Sequence, residues 1–259
     1  MSDQKPTIEF YSLIQIAYEH FNHQLFEGKL PDCMLTAQRQ SNVMGYFSAD
    51  RWVNTDGNFK HEIALNPAYF AKHKLLEVLQ TLVHEQCHLW QHMFGRRKSR
   101  SGYHNREWSE KMRSIGLIPS STGLPGGRMT GQSMSDYPAL DGQFIVAARA
   151  LVESGYTFPW VDTEPAFQES CQPRDEWMLA IDAADNRPSE TADTVLAMPL
   201  DALIPDHLMT ETASETLIKQ KKRQSKSRYE CPGCAARVWG KKGLNLVCGD
   251  CNRAFNMQL

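Results

Sequence analysis

Apolar residues recur at three- and four-residue spacing through Phe10, Ile14, Ala17, Tyr18, Phe21 and Leu25, which predicts an amphipathic helix stopped at Gly28. The period then shortens. Cys33 to Arg39, Val43 to Ala49 and His61 to Asn66 are partly alternating runs separated by polar or Gly-containing turns, a pattern of three strands, the last broken at Asn66-Pro67. Helical spacing returns with Leu75, Leu76, Leu79, Leu82 and Val83 and persists to about Phe94. A shorter helix follows, with Trp108, Met112 and Ile115 on one face. Helices grouped around a short run of strands predict an α+β fold in which helices pack on a small sheet.

Beyond this the pattern weakens. Pro119 to Pro138 is rich in Gly, Pro, Ser and Thr and reads as a long loop or boundary. Phe144, Ile145, Ala148, Leu151 and Val152 suggest one more helix, and Phe158-Pro159-Trp160 a turn after it. From Gln168 to Leu217 scattered apolar residues, acids and prolines carry no motif. Charge divides the chain in the same places. Residues 1–130 hold 15 Lys/Arg against 12 Asp/Glu, residues 131–218 hold 3 against 16, and residues 219–259 hold 10 against 2. We therefore expect three parts: a folded domain over 1–118, a Gly/Pro loop with an acidic, partly helical segment over 119–218, and a basic linker with a small metal module over 219–259. No apolar run approaches the 18 residues of a membrane span and the N-terminus lacks a signal-peptide pattern, so the expected location is cytoplasmic, without a membrane partner.

Chemistry sits on the second long helix. His84-Glu85-Gln86-Cys87-His88 is an HExxH motif, and at 3.6 residues per turn positions 84 and 88 stack on one face, where two imidazoles can converge on one cation. Glu85 points about 100° away from His84, close enough to polarise a water at the metal without being a ligand. Zinc suits two nitrogens and a third protein donor with one position left for water. The extended HExxHxxGxxH form is absent, because Gln91 and Phe94 stand where its Gly and third His would be. His92 continues the helix face, but about 12 Å along the axis from His84, too far to share one tetrahedral ion. His104, at the entry to the next helix, is the better third donor; Glu107 and Glu110 are alternatives.

The seven cysteines divide unevenly. Cys231, Cys234, Cys248 and Cys251 form C-x2-C-x13-C-x2-C, four thiolates that close a tetrahedral shell around a structural zinc. Gly233 and Gly249 are expected to supply the backbone freedom such knuckles need. Cys33, Cys87 and Cys171 are left over and expected to be buried thiols. Just before the ribbon lie Lys219, Lys221, Lys222, Arg223, Lys226 and Arg228, with Lys241 and Lys242 inside it. With Trp239 and Phe255 as stacking faces, or alternatively as the ribbon's own small core, these cations are the ingredients of single-strand DNA binding. Arg96, Arg97, Lys98 and Arg100 form a second basic cluster between His88 and His104.

HEQCH, a basic and polar connector, and YHNREWSEKM together resemble the SprT-like metalloprotease domain, whose pattern is HExxH followed by a third His opening a short helix with an aromatic four residues on. Phe21-Asn22, Leu25-Phe26, Gly28, Leu30-Pro31 and Gly45-Tyr46-Phe47 match the opening helix and first strands of that family, so the resemblance covers roughly residues 7–118. It implies a zincin-like fold, zinc on His84, His88 and His104, and Glu85 as general base. A C-terminal zinc ribbon is a frequent companion in the family, which also includes Spartan-type proteases that degrade proteins crosslinked to DNA. Gly123 to Gly131 resembles SprT-like proteins carried on bacterial mobile elements.

Two functions follow as expectations. One is a zinc endopeptidase with one catalytic and one structural zinc, acting on DNA-associated and DNA-crosslinked proteins near the nucleoid and recruited to single-stranded or junction-containing DNA by its basic tail. The other is a noncatalytic nucleic-acid-binding or transcription-associated zinc-ribbon protein whose upper metal site is purely structural.

Overall fold

The computed structural model describes residues 5–41, 43–96, 99–100, 102–163, 190–204 and 227–258, which fall in two units, 1–209 and 210–259. Helix α1 (Pro6–Phe26) starts on a proline, whose missing N–H costs nothing in a first turn. Its end is sharp: Glu27 and Gly28 are both left-handed (φ 58° and 68°), and the Gly28 N–H returns to the Asn22 carbonyl at 2.9 Å. The buried stripe Ile14, Ala17, Tyr18, Phe21 and Leu25 is the predicted one.

Strands β1 (Met34–Ala37), β2 (Gly45–Val53) and β3 (Phe59–Leu65) form a sheet of order β1-β3-β2, with β1 parallel and β2 antiparallel to β3. Ile63, Ala64 and Leu65 bury β3 against the helices. Helix α2 (Leu75–Phe94) occupies the residues its apolar spacing predicts; the Glu77 carboxylate accepts the Lys74 N–H and so satisfies a donor at its start. Helix α3 (Arg106–Ser114) is capped by Asn105, whose side chain accepts the Trp108 N–H at 3.0 Å and the Gln91 side-chain N–H at 2.7 Å, tying α3 to α2.

The sequence boundary expected after residue 118 falls inside a strand. β4 (Leu117–Ser120) pairs antiparallel with β5 (Ser135–Pro138), so the two ends of the expected loop meet as a short ladder. Four-residue strands containing Pro119 and Pro138 show no alternation to read, and a two-stranded ribbon tolerates proline at its free edges. Helix α4 (Gln143–Glu153) then returns to the first core, where Phe144 stacks on Phe21 with ring centroids 5.7 Å apart.

Part of the acidic middle is structural as well. Helix α5 (Glu190–Ala197) buries Ala192 and Leu196, and Leu200 follows in a 3-10 turn. Asp193 pairs with Arg149 of α4 at 2.6 Å and Asp201 with Lys72 at 2.5 Å, while the Leu200 and Asp201 N–H groups bond the His73 and Ala71 carbonyls. The Lys72–Asp201 pair sets a charge of the first segment against one of the middle segment, whereas Arg149 and Asp193 both belong to the middle segment. The remainder of that segment, residues 164–189 and 205–226, and Cys171 with it, lies outside the described residues.

The second unit is a three-stranded antiparallel sheet, β6 (Ser227–Glu230), β7 (Arg237–Gly240) and β8 (Asn256–Gln258), in the order β7-β6-β8. Its buried aromatic is Tyr229, whose hydroxyl donates to the Lys241 carbonyl at 2.6 Å and accepts the Leu244 N–H at 2.9 Å. Trp239 is 62% exposed, so it is a surface face and not a core residue; Phe255 is half-buried. Among the described residues no helix is long and apolar enough to cross a membrane.

Candidate metal centres

Helix α2 presents His84 and His88 one turn apart, and the turn before α3 brings His104 back to them. The His104 Nε2 lies 3.2 Å from the His84 Nε2 and 3.0 Å from the His88 Nε2. A tetrahedral zinc with bonds of 2.0–2.1 Å holds its nitrogens about 3.3 Å apart, so the triad is already at ligating separation. The protons are directed elsewhere. The His84 Nδ1 is 2.8 Å from the Asp136 Oδ2, and the His104 Nδ1 is 3.3 Å from the Gly131 carbonyl, which leaves the Nε2 lone pairs facing one another. Three converging acceptors repel; a cation among them turns that repulsion into ligation, and the residues therefore fit zinc. Glu107 and Glu110 turn away, the first accepting the Arg96 N–H and the second pairing with Arg106.

The walls explain the electrostatics. Trp108, fully buried, packs its ring 4.9, 5.2 and 4.4 Å from the centroids of His84, His88 and His104. Burial pushes the His88 pKa well below its ordinary value, reinforced by the other two imidazoles; burial, then His84, lowers His104 to about 4. For His84 burial acts in the same sense, but the Asp136 hydrogen bond and the Glu85 and Asp136 charges outweigh it and raise the pKa. Glu85 is raised to about 7 by burial, against the opposing pull of His84, and it accepts the Phe47 N–H from β2.

Strand β2 approaches that closely because residue 45 is glycine. A Cβ there would stand 2.9 Å from the Thr81 Cγ2, 3.0 Å from the Ala64 carbonyl oxygen and 3.4 Å from the Glu85 Cγ. Between β2, α2 and residues 121–136 lies a cleft of about 960 Å³, with His84, Glu85, His88 and His104 on its wall beside Tyr103. The fourth direction from the triad is therefore open.

Asp136 and Gly131 carry no readable signal in the sequence. They sit in the stretch that composition marks as a loop, and Asp136 is held in turn by the Gln80 side chain, which donates to its carbonyl at 2.8 Å and its carboxylate at 2.7 Å. The β4–β5 ladder is what returns this segment to α2. Asn105, beside the third His, is explained by its capping role.

In the second unit the four cysteine sulfurs lie within 4.8 Å of one another, with Cys234 and Cys248 at 3.6 Å. Both knuckles use one scheme: the Ala235 N–H bonds the Cys231 carbonyl and the Asn252 N–H bonds the Cys248 carbonyl. The left-handed residues are Ala235 (φ 57°) and Asn252 (φ 51°), not the expected Gly233 and Gly249. Glycine at 233 serves space instead, since a Cβ would meet the Cys251 Sγ at 2.9 Å. The Cys231 thiol is lowered, first by the Cys234 N–H, while the Cys251 thiol is raised, first by its contact with Cys234. Each centre can hold a metal ion.

Of the cations expected to contact DNA, Lys219, Lys221, Lys222, Arg223 and Lys226 lie outside the described residues. Arg228 is on β6, 4.0 Å from Glu230, and Lys241 and Lys242 are exposed after β7. Arg100 stacks over the Tyr103 ring at 4.7 Å, and Arg96 is exposed; residues 97 and 98 are not described.

A mixed α+β fold with HExxH on a buried helix and a third His from the turn before the next helix defines a protein that brings three imidazoles together where a metal ion can be held. The chain belongs to the SprT-like family, whose model matches residues 14–126. A Salmonella typhimurium protein described as "Uncharacterized protein in mucB 3'region" is 41% identical over 54 residues, which are 21% of this chain and 73% of that protein. No solved structure matches the chain. Gly131 and Asp136 lie beyond the family match.

Proposed function

We propose that the chain is a zinc-dependent endopeptidase acting on DNA-associated proteins, crosslinked ones included, and recruited to them by its basic ribbon. The observation that carries the reading is the triad at ligating separation with its fourth direction open to a large cleft and a buried carboxylate beside it. A closed structural site, as the noncatalytic alternative requires, has no use for either.

Zinc bound there supplies the Lewis acidity that activates a water and polarises a peptide carbonyl. The chain's own groups do the rest. Asp136 and the Gly131 carbonyl hold two imidazole protons and with them the ring orientations. Glu85, buried beside the triad and steadied by the Phe47 N–H, is placed to act as the base: it takes the proton of the attacking water and returns it to the leaving amine. Strand β2, on the free edge of its sheet among the described residues, offers backbone partners to an extended substrate alongside the cleft. Such a site reads little side-chain identity. Selectivity comes from holding protease and protein on one DNA, which raises their effective concentration. Exposed Trp239, Lys241 and Lys242 support a stacking and phosphate-contacting role for the ribbon.

The test is cleavage of a DNA-bound protein by the full chain, with and without DNA, comparing wild type with Glu85→Gln. The reading requires cleavage stimulated by DNA and abolished in Glu85→Gln, with metal content and fold retained. Equal behaviour of the two proteins assigns the site a structural role.

A further inference from the structure

His92 does not join the catalytic triad, yet it is not isolated. It meets two residues from other elements: Asp50 in β2 and His61 in β3, whose donor atoms all lie within 4.8 Å of one another together with its own. We propose that Asp50, His61 and His92 form a further divalent transition-metal site, one helical turn beyond His88 along α2. This site stands independently of the protease reading.

The backbone builds it. Ser48 pairs with Glu62 and Trp52 with Lys60, so three residues of β2 bulge opposite His61 alone. At the centre of the bulge Asp50 adopts a left-handed conformation (φ 48°), which directs both its N–H and its carboxylate at His61. The N–H donates to the His61 Nδ1 at 3.0 Å, so that nitrogen is an acceptor. The Asp50 Oδ1 is 3.3 Å from the same atom, which brings the carboxylate beside the imidazole. The His92 ring stands edge-on to His61 with centroids 4.9 Å apart, and Phe47 packs 5.9 and 5.8 Å from the two, holding them side by side.

Two imidazoles and one carboxylate select the zinc, nickel, copper or ferrous class over calcium or magnesium, which prefer all-oxygen shells. Exposed Asp50 and His92 leave room for water or a substrate group on the remaining positions. Because the donors come from β2, β3 and the end of α2, an ion here ties the free edge strand to the catalytic helix. Phe47 links the two centres directly, its ring buttressing this one and its N–H bonding Glu85.

The experiment uses the full chain, stripped of metal and re-equilibrated with zinc by dialysis, with bound zinc counted by elemental analysis. Wild type should bind three equivalents, and His61→Ala and His92→Ala two each. His84→Ala should also lose one equivalent, and the His61→Ala/His84→Ala pair should retain one, because the sites are separate. Asp50→Asn, which preserves shape, should weaken the third equivalent about tenfold or more while circular dichroism stays unchanged. Equal zinc content in wild type, His61→Ala and His92→Ala, all folded, overturns the proposal, whatever Glu85→Gln does to proteolysis.

Discussion

The His and Cys centres draw their donors from stretches of equal length, residues 84–104 and 231–251, yet they depend on the chain in opposite ways. The cysteine cluster is supported by its own neighbours: each knuckle closes on backbone bonds from Ala235, Ala236, Asn252 and Arg253. The histidine cluster is supported from a distance, by Asp136 and Gly131 some 27 to 52 residues along the chain, by Gln80 behind Asp136 and by Gly45 on the opposite wall. A local centre can use its metal to make its fold. A centre assembled by tertiary structure needs the fold first, and that order leaves it free to keep a coordination position open for chemistry.

The largest expected effect follows from the local centre. Chelation of the full chain, or Cys234→Ser, should unfold the ribbon while leaving the first unit folded, since a unit this small has too little core without its metal. Amide exchange would show it as loss of protection over residues 227–258 with residues 6–153 unchanged. Loss of protection in both would mean that the units share their stability.

Asp136→Asn probes the distant support. Zinc affinity at the triad should fall about 10- to 100-fold with the fold intact, because the amide no longer accepts from the His84 Nδ1 as a carboxylate does. Competition with a chromophoric chelator measures it, and the ribbon's affinity is the internal control. Gly45→Ala should cost about 1–3 kcal/mol in denaturant unfolding, as the new Cβ would press on Thr81 of α2 at 2.9 Å and on the Ala64 carbonyl of β3 at 3.0 Å. The smallest effect belongs to the surface. Replacing Lys241 and Lys242 by Ala should flatten the salt dependence of single-stranded DNA binding, its log–log slope falling by about 0.7 for each phosphate that is no longer neutralised. An unchanged slope would remove these lysines from the interface.

The helix Leu75–Phe94 is readable because Leu75, Leu76, Leu79, Leu82 and Val83 repeat at helical spacing and are buried. His84, Glu85, His88 and His104, together with the four ribbon cysteines, are recognisable because metal chemistry demands those side chains at those separations. The features that local spacing does not reveal share one property. The strands Leu117–Ser120 and Ser135–Pro138 are four residues long and gain order only by pairing with each other. Asp193 and Asp201 look like members of an acidic run until Arg149 and Lys72 stand opposite them. Asp136 is an ordinary loop acid until that ladder carries it to His84.

His92 makes the same point within one helix. Its place on the face of His84 and His88 follows from helical periodicity, and so does its distance from His84. That it meets Asp50 and His61 depends on a bulge and a left-handed residue in another strand. Local sequence by itself determined the periodic elements, both principal donor sets and the carboxylate beside the imidazoles, because each rests on spacing along one stretch of chain. Tertiary structure alone decided which carboxylate and carbonyl orient the imidazoles, how wide the cleft is and where the remaining histidine finds partners, because those contacts join residues whose separation along the chain carries no period.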